Sequence, residues 1–160
     1  MRILPSSLFG LFLMAIACSI TSCANNDDED QRVKDDALIQ EYIAENSLNA
    51  IEGPEGLYVV IDNTGTGTSP NINSTVEVHY EGSLLNGTIF DSSYERGTPA
   101  TFPLAGVIRG WQLGIPYFAE GGKGTLLVPS HLAYGGNPPF GSGIPANAVL
   151  VFNVEVLDVL

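Results

Sequence analysis

The clearest pattern in the chain lies near its C-terminus. Leu150, Phe152, Val154 and Val156 alternate with Asn153 and Glu155, the two-residue period of an antiparallel strand with one buried and one wetted face. Residues 149–159 therefore form the strongest predicted strand. Residues 57–62, 75–82, 100–104 and 124–128 read as further strands, and Asn86-Gly87 suits a tight hairpin turn. Residues 109–118 predict one short helix, kept short by Gly110, Gly114 and Pro116. The stretch 135–145 holds four glycines and three prolines and predicts a surface loop of the kind that carries function. Upstream, Val33, Ala37, Leu38, Tyr42 and Ile43 recur at near-helical spacing, which predicts a helix over 35–46 that docks on the domain or pairs with a second copy. Gly53-Pro54-Glu55-Gly56 is a breaker and marks a domain boundary. Strands, one short helix, then more strands make an α+β domain with a helix on one face of an antiparallel sheet.

Charge and cysteine usage divide the 160 residues further. The formal net charge is −12 with only six Lys and Arg, which excludes nucleic acid as a partner because phosphate binding needs clustered basic residues. Eight of the 18 acids, Asp27, Asp28, Glu29, Asp30, Asp35, Asp36, Glu41 and Glu45, precede Glu52 and form an acidic lead-in. Both cysteines, Cys18 and Cys23, are N-terminal, so the domain holds itself together by its core alone. Arg2 followed by the apolar run 8–20 reads as a signal peptide over 1–22, too short to span a membrane comfortably. Ile20-Thr21-Ser22-Cys23 resembles a bacterial lipobox, in which Cys23 becomes the lipidated N-terminus; the other reading is an ordinary secreted protein cut nearby. Cys18 fits less well, because Ala15 stands where a large aliphatic is usual. Residues 23–34 read as an acidic disordered tether, or as something similar to the surface-export signals of Bacteroidota lipoproteins. The helical extension is placed at 35–53 and the folded domain at 54–160.

Familiar catalytic chemistry is sparse. The glycines of 64–70 lack the Gly-Lys-Ser/Thr ending of a phosphate loop. No nucleophile elbow occurs, and His131 directly follows Ser130 rather than facing it. His79 and His131 are too few for a zinc site. What stands out is aromatic: Tyr80, Phe90, Phe102, Trp111, Tyr134 and Phe152 lie on different predicted elements, with Asp91 beside Phe90. Six such residues either fill a core or line a pocket, and Trp111 at the start of a glycine-flanked helix is a candidate pocket floor.

Taken in order, Val78-His79-Tyr80-Glu81-Gly82, Gly87-Thr88-Ile89-Phe90-Asp91-Ser92-Ser93, Val107-Ile108-Arg109-Gly110-Trp111, Leu132-Ala133-Tyr134-Gly135, Ile144-Pro145 and Leu150-Val151-Phe152-Asn153-Val154-Glu155 resemble the signature of the FK506-binding (FKBP) family. Ser93-Tyr94-Glu95-Arg96-Gly97 and Pro99-Ala100-Thr101-Phe102 resemble bacterial exported members. The resemblance covers 56–160. It implies a bent antiparallel sheet wrapped around one short α-helix, with an N-terminal helical extension, and peptidyl-prolyl cis-trans isomerase activity without metal or cofactor. It also implies a pocket with Trp111 as floor, walls from Tyr80, Phe90, Phe102, Val107, Ile108 and Phe152, and Tyr134, Asp91 and the Ile108 N–H as catalytic polar groups. Phe140, near the tip of a slightly longer loop, joins the substrate rim. Ala100 replaces a large aromatic at one wall position. The expected partners are proline-containing polypeptides, rapamycin-type macrolides and, through Cys23, a membrane. The expected location is the cell envelope, at the outer membrane, on its periplasmic face or the cell surface. A non-catalytic proline-binding holdase and an interaction lipoprotein are the alternatives.

Overall fold

The structure, a computed structural model, describes residues 24–160. The signal-peptide assignment and Cys23 lie outside the described residues. Two α-helices, α1 (Ala24–Glu45) and α2 (Arg109–Gly114), accompany seven strands: β1 (Ala50–Glu52), β2 (Tyr58–Asn63), β3 (Thr75–Leu84), β4 (Ile89–Ser92), β5 (Ala100–Pro103), β6 (Lys123–Val128) and β7 (Leu150–Val159). All pair antiparallel in one sheet of order β1-β2-β6-β7-β3-β4, with β5 on the same edge of β3 as β4. Register shifts at Ile61/Asn63, Glu77/Val78 and Gly82/Ser83 mark bulges, each of which bends and twists its strand. All five predicted strands recur within two residues, 75–82 extending to Leu84. The short β1 was not anticipated; β4 is the returning strand of the Asn86-Gly87 hairpin, for which no range was given.

The sheet is covered on both faces. Leu57, Val59, Val76, Val78, Leu126, Val128, Leu150, Phe152, Val154 and Val156 pack with Trp111, Ile115 and Phe118 of the α2 segment. Tyr58, Leu127, Val149 and Val151 point the other way, against Ile39 of α1. The second face of β7 is covered only in part: Val151 is buried where α1 lies over it, while Asn153 stays exposed. Six residues are too few for a helix to persist alone, so α2 exists by its packing. It lies so close to β6 that a Cβ on Gly110 would stand 2.4 Å from Val128 Cγ1, and one on Gly114 2.6 Å from Leu126 Cδ2.

Three expectations about the N-terminal half are corrected. The helix begins at Ala24, so Ala24–Lys34 is helical rather than a disordered tether. Its buried seam runs through Asp35 and Ile39, both 0% exposed, whereas Val33 and Leu38 are 62% and 44% exposed. A seam centred on a carboxylate is invisible to hydrophobic periodicity. Finally, Gly53–Gly56 is no domain boundary. It is a turn inside the sheet, closed by Gly53 N–H donating to Leu57 O at 2.7 Å, and β1 before it pairs with β2 after it.

Tyr58 ties α1 down from the sheet side. Its hydroxyl donates to Asp36 Oδ1 at 2.7 Å and accepts from Gln40 Nε2 at 2.7 Å. Burial first, then the Asp36 acceptor, push its ionisation up to about 12. A neutral phenol held this way stabilises the docked helix in full below the ordinary tyrosine value near 10, and the contribution is lost as pH rises through about 12. The difference in tyrosinate absorbance between the native chain and Tyr58→Phe should therefore titrate near pH 12. A difference curve centred near 10 would mean that α1 does not shield this ring.

Candidate proline pocket

Seven elements or their connections bring one residue or two each to a single cavity. β3 supplies Tyr80, β4 Phe90 and Asp91, β5 Phe102 and β7 Phe152; Val107 and Ile108 lead into α2, which supplies Trp111; and Tyr134 follows the tight turn Ser130–Leu132. With Gly106 they enclose about 330 Å³. Trp111 is the hub. Tyr80, Phe102 and Phe152 meet it edge to face at centroid distances of 5.2, 5.4 and 5.4 Å and angles of 90, 81 and 88°. Phe90 meets Phe152 the same way at 5.7 Å. Each such pair adds about 0.5–1.5 kcal/mol beyond its buried area, so the rings fix one another.

Gly82 makes the ring packing possible. It sits opposite Phe152 on β7 and opposite Asp91 on β4. A Cβ there would lie 2.7 Å from Phe90 Cε2 and Cζ and 2.9 Å from Phe152 Cε1.

The polar groups divide into a brace and free donors. Tyr80 donates its hydroxyl hydrogen bond to Asp91, and Arg96 forms an ion pair with the same carboxylate. Arg96 Nη2 also donates to Tyr80 Oη at 3.2 Å, with the guanidinium 5.5 Å from the Tyr80 ring centroid. Burial, then hydrogen bonding to Asp91, raise the Tyr80 ionisation. Asp91 is thus held on one oxygen by Tyr80 and on the other by Arg96. The Tyr134 hydroxyl, by contrast, has no protein partner among the described residues. Burial and the nearby Asp91 charge raise its ionisation, so it remains a donor. Ile108 stands at the N-cap of α2, where backbone N–H groups have no intrahelical acceptor, and its carbonyl accepts from Trp111 N–H and Gln112 N–H at 3.0 and 3.2 Å.

Tyr80, Phe90, Asp91, Phe102, Val107, Ile108, Trp111, Tyr134 and Phe152, all singled out from sequence, converge here. Phe140 does not: it is fully exposed on the 135–145 loop and lines no part of the cavity. Gly141 and Gly143, just after it, are both at positive φ. Sequence reasoning assigned no role to Arg96 or Gly106. Arg96 was detectable as one of only six basic residues, five positions after the pocket acid. The histidines stay outside: His79 stacks on Tyr94 at 4.5 Å and hydrogen-bonds Ser93 Oγ at 2.9 Å, while His131 Nε2 meets Glu55 O at 3.0 Å.

Residues 66–157 match the family described as FKBP-type peptidyl-prolyl cis-trans isomerase. The chain belongs to the FKBP family. It is 41% identical over 136 residues to the FKBP-type peptidyl-prolyl cis-trans isomerase FkpA of Buchnera aphidicola from Schizaphis graminum, covering 82% of this chain and 53% of that relative. With FkpA of Escherichia coli K12 the identity is 47% over 106 residues, 65% of this chain and 38% of the relative. The crystal structure of Escherichia coli FkpA superposes with a TM-score of 0.72 at 39% identity, over 84% of this chain and 62% of that one. The chain spans about half the length of the relatives it matches. The FKBP-type fold accounts for the antiparallel sheet enclosing α2.

Replacing Gly82 with Ala should leave the chain folded but push Phe90 and Phe152 into the cavity. The added methyl should cost about 1–3 kcal/mol, read from denaturant unfolding, and weaken a proline-containing peptide at least severalfold, read by calorimetry. Unchanged peptide affinity in a folded Gly82→Ala chain would place peptide binding away from these rings.

Proposed function

We propose that the chain is a peptidyl-prolyl cis-trans isomerase acting on exported, proline-containing polypeptides and held at the cell envelope by a lipid on Cys23. The observation that carries the enzymatic reading is the cavity floored by Trp111, closed by perpendicular rings and edged by two unbraced donors, the Tyr134 hydroxyl and the Ile108 N–H.

Rotation about an X-Pro bond is slow, with a barrier of about 20 kcal/mol, because the amide loses its resonance when twisted. No covalent bond has to form or break. The planar amide is the more dipolar form and is favoured by water. Seating proline among Trp111, Phe152, Phe90, Tyr80 and Val107 strips that water and lowers the cost of twisting. Tyr134 Oη and the Ile108 N–H then hold carbonyls flanking the proline, so that contacts can favour the twisted amide over the planar one. Asp91 keeps the Tyr80 wall in place together with Arg96. A rate gain of 10⁴ asks for about 5.5 kcal/mol. Rapamycin-type macrolides would occupy the same cavity and block turnover, their affinity set partly by Ala100, which leaves one wall position small.

The assay is the proline-limited refolding of a reporter protein at catalytic chain concentration. The native chain should accelerate the slow phase. Tyr134→Phe should lose a few-fold, about 1 kcal/mol for one neutral hydrogen bond. Asp91→Leu should lose about tenfold, equivalent to roughly 1.4 kcal/mol, and His79→Gln and His131→Gln should lose nothing. A hundredfold collapse in either folded histidine variant would point to proton transfer, and no acceleration by the native chain would leave a binding module.

The envelope part rests on the apolar run ending at Ile20-Thr21-Ser22-Cys23. Because α1 starts at Ala24 and is buried by Asp35, only about 17 Å of helix separates the lipidated residue from the docked domain. The isomerase would then ride close to the bilayer on a rigid stem, with more than one acyl chain supplying stable attachment. Radiolabelled fatty acid supplied to a bacterial host should mark the native chain and not Cys23→Ala. Labelling and membrane association that survive Cys23→Ala would rule the anchor out.

A further inference from the structure

Asp35 is an anomaly on α1. Its neighbours Asp27, Asp28, Glu29, Asp30 and Asp36 are exposed, yet Asp35 is wholly buried, and nothing in the pocket chemistry uses it. A buried carboxylate is costly unless hydrogen bonds replace its water. Here they do. Oδ2 accepts from Ser130 N–H at 2.8 Å and from Ser130 Oγ at 2.6 Å, and Oδ1 accepts from Gln31 Nε2 at 2.7 Å. Both Ser130 bonds bridge 95 positions of sequence.

Ser130 passes the constraint on. Its carbonyl accepts from Ala133 N–H at 3.0 Å and from Gly135 N–H at 2.9 Å, the backbone N–H groups of the residues before and after Tyr134. Gly135 O in turn accepts from Asn147 N–H at 2.7 Å. One residue is thus clamped at both ends, by the α1 carboxylate on its N–H and hydroxyl and by the Tyr134 segment on its carbonyl. Charge-assisted bonds of this kind are roughly twice as strong as neutral ones.

We propose that Asp35 is a positioning residue: through Ser130 it sets where the Tyr134 hydroxyl stands over the pocket, which makes α1 a working part of the isomerase rather than a stem only. This rests on the isomerase reading above.

The test is a double-mutant cycle on the full chain, with kcat and KM measured separately on a proline tetrapeptide. Asp35→Asn keeps the volume but replaces one carboxylate oxygen with an amide. If Asp35 acts through the Tyr134 hydroxyl, Asp35→Asn should lower kcat about threefold with little change in KM, and should add no loss in the Tyr134→Phe background, since coupled residues are non-additive. The same fold-loss in both backgrounds, or no loss in either, overturns the proposal. Should Asp35→Asn fail to fold, Ser130→Ala, which removes the hydroxyl donor and leaves the N–H, completes the same cycle. A native chain without isomerase activity would count against the enzymatic reading alone. The clamp is then read by amide hydrogen exchange at Gly135, which should quicken in Asp35→Asn; an unchanged rate overturns it.

Discussion

Everything in this domain depends on how closely α2 lies against β6. The helix has one and a half turns and little stability of its own. What holds it is contact with Val128 and Leu126 across Gly110 and Gly114, where there is no room for even a methyl group. That approach lowers Trp111 onto the sheet between Tyr80, Phe102 and Phe152. A helix held a few tenths of an ångström higher would lift the indole and open gaps beneath the rings. The cavity is therefore a by-product of two missing side chains, and the aromatic residues only finish it.

The sheet serves two helices at once. Along β2 and β6, Val59, Leu126 and Val128 face α2, while Tyr58 and Leu127 face α1. The inner set was legible in sequence, because alternation in the 149–159 and 75–82 segments names the residues that point inward. The outer set was not. Tyr58, Leu127 and Val151 occur where a half-wet strand would carry polar residues, and only the covering helix explains them. That helix was legible over 35–46, and Tyr42 and Ile43 do pack on the sheet, but its seam was not, because it contains Asp35 and because Val33 and Leu38 imitate a seam on a face left to solvent. Hydrophobic periodicity finds surfaces that seek apolar partners. It is blind to a contact built on one carboxylate and a distant backbone N–H.

The pocket shows the same division. Its aromatic members were legible through ordered motifs, since ring residues spaced along separate strands are brought together by register, and the pairing of Gly82 with both Phe152 and Asp91 does this here. Phe140 misled because an aromatic on a glycine-rich loop looks like a rim residue, whereas here it is fully exposed and lines no part of the cavity. Arg96 was overlooked because an exposed arginine carries little information until its partners are known. Placed beside Asp91 and over the Tyr80 ring, it turns a lone acid into part of a wall.

Tyr80 and Tyr134 share a cavity but do opposite things with their hydroxyls. Tyr80 spends its proton on Asp91 and accepts from Arg96, so it belongs to the wall. Tyr134 has no such partner among the described residues and presents its donor to whatever fills the space. Burial raises the ionisation of both phenols, and Arg96 is held more firmly cationic by Tyr80 and Asp91. These three groups keep their charge state through the neutral range, and both histidines point elsewhere. A site meant to move protons near neutrality needs a group poised to gain or lose one. Here the two phenols and the guanidinium are pushed away from that condition. What is left is a cavity walled by interlocked rings with donors at its edge, which suits the proposed reaction, whose only event is rotation about a bond.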